Sequence, residues 1–467
     1  MSLLYGSSML IPAAIAVSSD SGEFLHFVFA CALSLIIGAV AFFYFGERPD
    51  RLSHRDGFLI VALAWVVLSI LGALPFLTTG ICPSVFDALF ESASGLTTTG
   101  ATVLSGLDGM PHSILFWRSM QEWLGGMGII VLAVAIMPLL GVGGMQLFRA
   151  ETPGPVKDKL TARVTETAKV LWYIYLIMTL ICATAFVAAG MNWFDAINHA
   201  MCTVAIGGFS THDASIGYYG SPLIETITVV FMILAGINFT LHFAAMQNQF
   251  SFRNYWKDDE FRTYVKILAF LMLSVGVIVL GSGTGEWHQI IFNVVSIATT
   301  TGFAVSDYTQ WPPGTGMLLF AAMFVGACAG STGGGMKVVR VLLLFRQGLG
   351  EIHRMIHPHA IIYIKLGDQT VEPAIVQAIW GFFVLYIVCY LMVAILLGLA
   401  GVDMLTALSA TAACLTNTGP GFGSVGPASN YADLPHAAKA ILMFAMVLGR
   451  LEIYTFFVLL IPEFWRK

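Results

Sequence analysis

Thr97-Thr98-Thr99-Gly100-Ala101-Thr102 is a short polar stretch set among apolar segments, and altered copies of it occur three more times. They are Ala205-Ile206-Gly207-Gly208-Phe209-Ser210, Thr299-Thr300-Thr301-Gly302-Phe303-Ala304 and Leu415-Thr416-Asn417-Thr418-Gly419-Pro420. Each copy follows a short apolar segment with an acidic residue near its start, and each precedes a long apolar one. In the first two copies Phe86-Asp87-Ala88 and Phe194-Asp195-Ala196 mark the same point, thirteen positions before Gly100 and Gly208. Four glycine turns, each entered by a half-length helix, predict four backbone hairpins meeting around one axis. That is the layout of an ion-selectivity filter.

The surrounding composition agrees. Of 467 residues, 57% are hydrophobic and only 10% charged, against about 25% charged in soluble proteins. Apolar runs of about 20 residues, enough to span a bilayer, recur from one end to the other, and no hydrophilic stretch is long enough for a soluble domain. The seven cysteines (31, 82, 182, 202, 328, 389 and 414) form no C-x-x-C pair and read as small buried hydrophobes.

Apolar length and Gly/Pro punctuation predict an all-α integral membrane protein with ten transmembrane helices and four re-entrant pore half-helices. Residues 1–50 hold two extra N-terminal helices, near 2–18 and 26–46. Four pseudo-fourfold repeats follow, at 51–150, 151–250, 251–360 and 361–467. Repeat one reads as 58–78, half-helix 84–96 and 112–140; repeat two as 169–190, 194–204 and 222–246. Repeat three reads as 264–281, 287–298 and 315–345; repeat four as 373–399, 404–415 and 436–461.

Lys and Arg set the orientation. Nineteen of the 22 fall in five clusters, around Arg48–Arg55, Arg149–Lys169, Arg253–Lys266, Lys337–Lys365 and Arg466–Lys467, leaving Arg118, Lys439 and Arg450. Ten helices put every cluster on one side, so both termini are expected in the cytoplasm. The repeats then run parallel, whereas inverted repeats are one common mark of alternating-access carriers. A coupled carrier, driven by proton or sodium symport, is the rival reading.

A filter needs these residue types. Non-helical backbone at membrane depth must line a protected cavity, where rings of carbonyls can replace a cation's hydration shell. Glycine reaches backbone angles closed to other residues. Half-helices entering from outside point their partly negative C-terminal ends at the cavity, which favours cations.

The chain resembles the pore-forming subunit of Trk-type potassium uptake systems, within the Trk/Ktr/HKT superfamily, over nearly its whole length. The resemblance rests on Thr97–Thr102, Trp123-Leu124-Gly125-Gly126-Met127-Gly128, Arg149-Ala150-Glu151-Thr152-Pro153-Gly154-Pro155, Gly208-Phe209-Ser210-Thr211-His212, Gly330–Lys337 and Gly449-Arg450-Leu451-Glu452. It implies that potassium meets the carbonyls of Thr98, Thr99, Ile206, Gly207, Thr300, Thr301, Asn417 and Thr418, with Gly100, Gly208, Gly302 and Gly419 as filter glycines. Sodium-selective plant relatives carry serine at the first of these, so Gly100 points to potassium. Ile206-Gly207 in place of threonines, and Pro420 after Gly419, make the path asymmetric. One glycine per repeat predicts modest discrimination against sodium.

The resemblance also implies a bacterial inner (cytoplasmic) membrane location and a homodimer with one pore per subunit. It further implies a cytoplasmic nucleotide-binding regulatory subunit of the TrkA type. No nucleic acid, no resident cofactor and no enzymatic activity are expected, since no nucleophile–base set appears.

Within the expected helix 315–345, five glycines fall in ten residues, Gly326 to Gly335. At about 1 kcal/mol each they should break it. Gly330, Ser331, Thr332, Gly333, Gly334, Gly335 and Lys337 then form a loop beneath the filter. It is not a phosphate loop, because Met336 precedes Lys337, no Ser/Thr follows and no strand leads in. Arg450 lies mid-membrane, where arginine is costly and functional by default; the resemblance puts it beside this loop, as part of a gate, and a structural pair with Glu452 or Glu122 is the alternative. Arg118 and Glu122, four apart on one helix, are expected to pair as a clamp behind the first filter. Asp87 and Asp195 read as caps of their half-helices. His353, His357 and His359 read as a solvated loop rather than a metal site.

Overall fold

The computed structural model describes residues 1–45, 54–131, 157–247 and 252–466. Arg48, Arg51, the Arg149–Pro155 motif, Lys467 and the repeat boundaries near 50, 150 and 250 lie outside them.

The chain begins with α1 (Ser2–Ser8), α2 (Leu10–Ser18) and α3 (Phe24–Phe45). Repeat one follows as α4 (His54–Thr78), α5 (Val85–Leu96) and α6 (His112–Val131). Repeat two holds α7 (Lys157–Ala188), α8 (Trp193–Ala205), α9 (Pro222–Ala235) and α10 (Phe239–Gln247). Repeat three opens with the short α11 (Arg253–Lys257), then α12 (Asp259–Ser282), α13 (Trp287–Thr299), α14 (Pro313–Val325) and α15 (Val338–Ile356). Repeat four comprises α16 (Pro373–Leu399), α17 (Met404–Leu415), α18 (His436–Arg450) and α19 (Tyr454–Leu460), with a final turn at Pro462–Trp465. Among the described residues the only β-structure is a hairpin of two-residue strands, Lys365–Leu366 against Gln369–Thr370.

All four half-helices, α5, α8, α13 and α17, start and stop within one residue of their sequence-predicted limits. Their starts are capped by side chains. Ser84 accepts from the Asp87 N–H, Asn192 from Asp195 and Asp403 from Thr406, while Glu286 and Gln289 form a reciprocal capping box. Asp87 and Asp195 are therefore not the caps that the sequence suggested, but third residues of capped helices.

Five described helices are long and apolar enough to cross a membrane, or seven if two sharply bent pairs are each one span. The bends correct two predicted continuous helices. Between α9 and α10 the axis turns by 91°, and between α18 and α19 by 112°. At the first, Gly236 carbonyl accepts from Cys328 N (3.0 Å) and Phe239 N donates to Gly330 carbonyl (3.1 Å), so the Gly-rich loop takes the bonds a continuous helix would use. At the second, Glu452 and Ile453 adopt left-handed backbone angles and Glu452 pairs with Arg340. The glycine-rich break at 326–337 falls where predicted. The second helices of repeats two, three and four are thus all interrupted, and that of repeat one is described only to Val131.

Packing closes the repeats into a ring. Each half-helix packs on both helices of its own repeat and on the second helix of the repeat before it: α8 on α6, α13 on α9, α17 on α14, and α5 back on α18. The N-terminal helices lie against repeat one, α2 on α6 and α3 on α4. All seven cysteines are buried and free, as expected.

Candidate functional site

The four turns share a backbone that their sequences only partly share. Thr98, Ile206, Thr300 and Asn417 are left-handed (φ 51°, 55°, 67° and 54°), and so are Gly100, Gly208, Gly302 and Gly419 two residues on (77° to 92°). Three of the first four are β-branched, for which this region costs about 1–2 kcal/mol; such strain persists where surrounding structure enforces it, typically at functional sites. The enforcement repeats too. Thr99, Gly207, Thr301 and Thr418 N–H groups bond back five residues to Ser94, Cys202, Ser296 and Ala413 at 2.7–2.9 Å.

The turns meet in cyclic order. A Cβ on Gly100 would lie 2.1 Å from the Gly207 carbonyl oxygen, one on Gly208 2.2 Å from that of Thr301, and one on Gly302 2.2 Å from that of Thr418. One on Gly419 would lie 2.5 Å from Thr99 carbonyl oxygen, which closes the circle. These glycines are required twice over, by positive φ and by the neighbouring turn. Asn417 Nδ2 also donates to Thr99 Oγ1 (2.9 Å), tying turn four to turn one. Above the ring, a cavity of ≈ 90 Å³ is floored by Gly100, Gly208, Gly302 and Gly419. All twelve residues predicted for the filter are therefore brought to one place.

The buried charged side chains around the ring all have hydrogen-bond partners, though not the expected ones. Arg118 does not bridge to Glu122. Its Nε donates to Glu91 Oε1 (2.7 Å), its Nη1 to Ser210 carbonyl (3.0 Å), and its guanidinium lies 4.2 Å from the Phe209 ring centre. Glu91 also accepts from Thr102 Oγ1 and Val103 N (3.0 Å). The clamp therefore grips the exits of turns one and two together. Glu122 instead accepts the Phe209 N–H at 3.1 and 3.2 Å. Asp87 pairs with Lys439 (2.6 Å), joining α5 to α18. Asp195 accepts from Thr211 Oγ1 (2.7 Å) and lies 3.1 Å from His212 Nε2. The other nitrogen of His212 faces Asp108 in the outer loop of repeat one, and that hydrogen bond holds the Asp108 carboxyl below its usual range.

Beneath the ring, the loop 326–337 seats against three turns. Gly334 N donates to Thr300 Oγ1 (2.7 Å), Gly335 N to Thr416 carbonyl (3.0 Å) and Thr332 Oγ1 to Val204 carbonyl (3.0 Å). Lys337 Nζ bonds back to Gly333 carbonyl. Arg450 Nη1 donates to Thr332 carbonyl (3.0 Å), while its Nε and Nη2 have no hydrogen-bond partner and the side chain is buried. Of the two carboxylates considered as its structural partner, Glu452 pairs with Arg340 instead, and Glu122 accepts from Phe209 N–H. The space left between loop, Arg450 and Asn417 is ≈ 20 Å³, room for about one water.

Two residues escaped the sequence reading. Glu260 on α12 accepts from Ala329 N (2.7 Å) and Val339 N (3.1 Å), capping both ends of the broken segment. Tyr431 Oη donates to Gly419 carbonyl (2.6 Å). Neither carries a local signal, since their partners are backbone groups 12 to 79 residues away in the chain. The three histidines of the 353–359 segment are exposed, and among the described residues no His/Cys/Asp/Glu group could hold a metal ion.

The TrkH family of cation transport proteins matches residues 24–467. The Trk system potassium uptake protein TrkH of Halomonas elongata is 49% identical, over 100% of this chain and 97% of that protein. Its Escherichia coli K12 namesake is 46% identical over the same shares. The crystal structure of the potassium transporter TrkH from Vibrio parahaemolyticus superposes with a TM-score of 0.91 at 46% identity, covering 100% of this chain and 97% of that one.

Proposed function

Because the chain belongs to the TrkH family of cation transport proteins, we propose that it takes up potassium through the ring of four turns, as a channel of modest selectivity. The loop 326–337 and Arg450 act as its gate. The observation that carries this reading is the cyclic contact of Gly100, Gly208, Gly302 and Gly419 with the next turn's carbonyl. Carbonyls held in such a ring substitute for the hydration shell of a cation. Four half-helices end there, and their partly negative C-termini favour positive charge.

Below the ring the path is shut to a hydrated ion, with space for about one water and two unpaired guanidinium nitrogens beside it. Opening then requires the loop to leave its seat. The chain carries no reaction chemistry; its relatives are named as transporters. At 100 mV, inward movement of one charge gains about 2.3 kcal/mol, so uptake needs no coupled ion. Ten spanning helices with cytoplasmic termini, a homodimer, an inner-membrane location and a TrkA-type regulatory partner complete the proposal.

The test is rubidium and sodium flux in liposomes holding the purified chain, wild type beside Gly100→Ser. Selective rubidium and potassium passage that shifts toward sodium in the variant is expected. Selective flux left unchanged by the substitution would overturn the assignment of the ring.

A further inference from the structure

Three of the four turns are braced by their own threonines. Thr97 Oγ1 lies 2.7 Å from Thr99 Oγ1, Thr299 Oγ1 2.8 Å from Thr301 Oγ1, and Thr416 Oγ1 2.7 Å from Thr418 Oγ1. The first of each pair also donates to a carbonyl one helical turn back, Ala93, Val295 or Ala412, at 2.6–2.8 Å. The hydroxyls thus tie the residue before each ring glycine to the end of its half-helix. In turn two the same positions are Ala205 and Gly207, and no hydroxyl is available.

Gly207 is not demanded by the backbone, because its φ lies outside the left-handed region that favours glycine. A side chain is excluded there by something else. A Cβ on Gly207 would stand 2.2 Å from Glu122 Oε2 and 2.3 Å from Glu122 Cδ. The carboxylate, fully buried, occupies the place of the missing threonine side chain, and both its oxygens accept the N–H of Phe209 immediately after the ring glycine. The helix α6 is brought close enough by the glycines one turn further on. A Cβ on Gly125 would meet the Leu96 carbonyl oxygen at 1.8 Å, and one on Gly126 would meet Ala205 Cα at 3.0 Å.

We propose that Glu122 is the positioning residue of turn two: its carboxylate replaces the threonine brace of the other three turns and sets the Ile206 and Gly207 carbonyls for potassium selection. This rests on the ring being the potassium path. Without the carboxylate, turn two keeps its fold through the Gly207 N–H bond to Cys202 (2.9 Å) but loses the acceptor of its Phe209 N–H, and its exit is left to the Arg118 contacts with Ser210 carbonyl and the Phe209 ring. The ring then has one loose side, which a smaller ion tolerates better than potassium does.

The experiment measures the potassium-to-sodium permeability ratio, from reversal potentials in liposomes, for a set of variants. Glu122→Ala is expected to lower the ratio about tenfold while rubidium still passes. Glu122→Gln, which keeps an oxygen to accept the Phe209 N–H, is expected to stay within about threefold of wild type. The triple variant Glu122→Ala/Ala205→Thr/Gly207→Thr rebuilds the threonine pair in the space vacated and is expected to recover the ratio. Gly302→Ser, in another turn, serves as the control for the ring itself. A ratio unchanged in Glu122→Ala but lowered in Gly302→Ser overturns the role of Glu122 alone. A ratio unchanged in both overturns the ring reading. If Glu122→Ala does not fold, recovery of selective flux in the triple variant carries the proposal, and a folded triple variant without selectivity refutes it.

Discussion

Gly334→Ala should open the path. Gly334 has no left-handed φ, so alanine is conformationally acceptable there; only the seat forbids it. The new Cβ would lie 1.9 Å from the Thr416 carbonyl oxygen and 3.2 Å from Asn417 Cβ, so the loop must retreat by more than an ångström. Retreat breaks the Gly334 N–H bond to Thr300 Oγ1 (2.7 Å) and the Gly335 N–H bond to Thr416 carbonyl (3.0 Å). At about 0.5–1.5 kcal/mol net for each, the seated state loses about 1–3 kcal/mol. With tenfold per 1.4 kcal/mol, the loop's equilibrium moves by a factor of about 5 to 150. Rubidium-86 uptake by the purified chain in liposomes, without any partner, should rise about tenfold, with the potassium-to-sodium ratio preserved. Gly348→Ala is the control, because a Cβ there meets nothing within 4 Å. Uptake equal to or below wild type, in protein of unchanged thermal stability, would refute the loop as a gate held by this seat.

Three further outcomes follow from the same geometry. Lys439→Met leaves the Asp87 carboxylate buried without its 2.6 Å partner and should cost about 3–5 kcal/mol; thermal unfolding in detergent should show the loss, and Asp87→Asn on the same chain should recover much of it. Asp108 sits below its ordinary value of 3.8, chiefly because of the His212 hydrogen bond. A depressed carboxylate contributes stability that is present above its unfolded pKa and lost as pH falls through its folded one. The melting-temperature advantage of wild type over Asp108→Asn should therefore be full at about pH 6 and shrink below about pH 4, and a constant advantage would exclude the contact as its source. If the path is a channel, the reversal potential should be set by the potassium and sodium gradients weighted by their permeabilities and should not move with pH; a shift with pH at fixed potassium and sodium would instead indicate proton coupling.

The half-helices were legible because short apolar runs are punctuated by polar glycine turns, and a helix of about twelve residues cannot cross a bilayer. The glycine-dense break at 326–337 was legible for the same reason. The bends after Ala235 and Arg450 were not. Gly236-Ile237-Asn238 holds a single glycine and Leu451-Glu452-Ile453 none, too little to break a helix alone, and the bonds at the bends go to the loop of repeat three and to Arg340, both distant in sequence. Likewise, four-residue spacing made Arg118 and Glu122 look like a pair. Yet each has a better partner in three dimensions: Glu91 supplies a carboxylate to Arg118, and the Phe209 N–H supplies a donor to Glu122. Local spacing states which contacts are possible; only the closed ring decides which are made.

That ring is symmetric in backbone and unequal in side chains, as a single chain permits and a tetramer of identical subunits would not. In a homotetramer, a carboxylate at the Glu122 position would enter all four turns and exclude every threonine pair. A guanidinium at the Arg450 position would likewise put four unpaired charges under one path. Here each appears once. Turn two relinquishes its hydroxyls to Glu122, repeat three supplies the loop, and repeat four supplies Arg450 together with Asn417, which bonds to Thr99 in the adjacent turn. The equivalent substitution should therefore have unequal effects around the ring. Replacing the second threonine by alanine in turns one, three or four removes a brace, and in turn one it also removes the acceptor of Asn417 Nδ2. Adding an alanine side chain at Gly207 drives a carbon into Glu122.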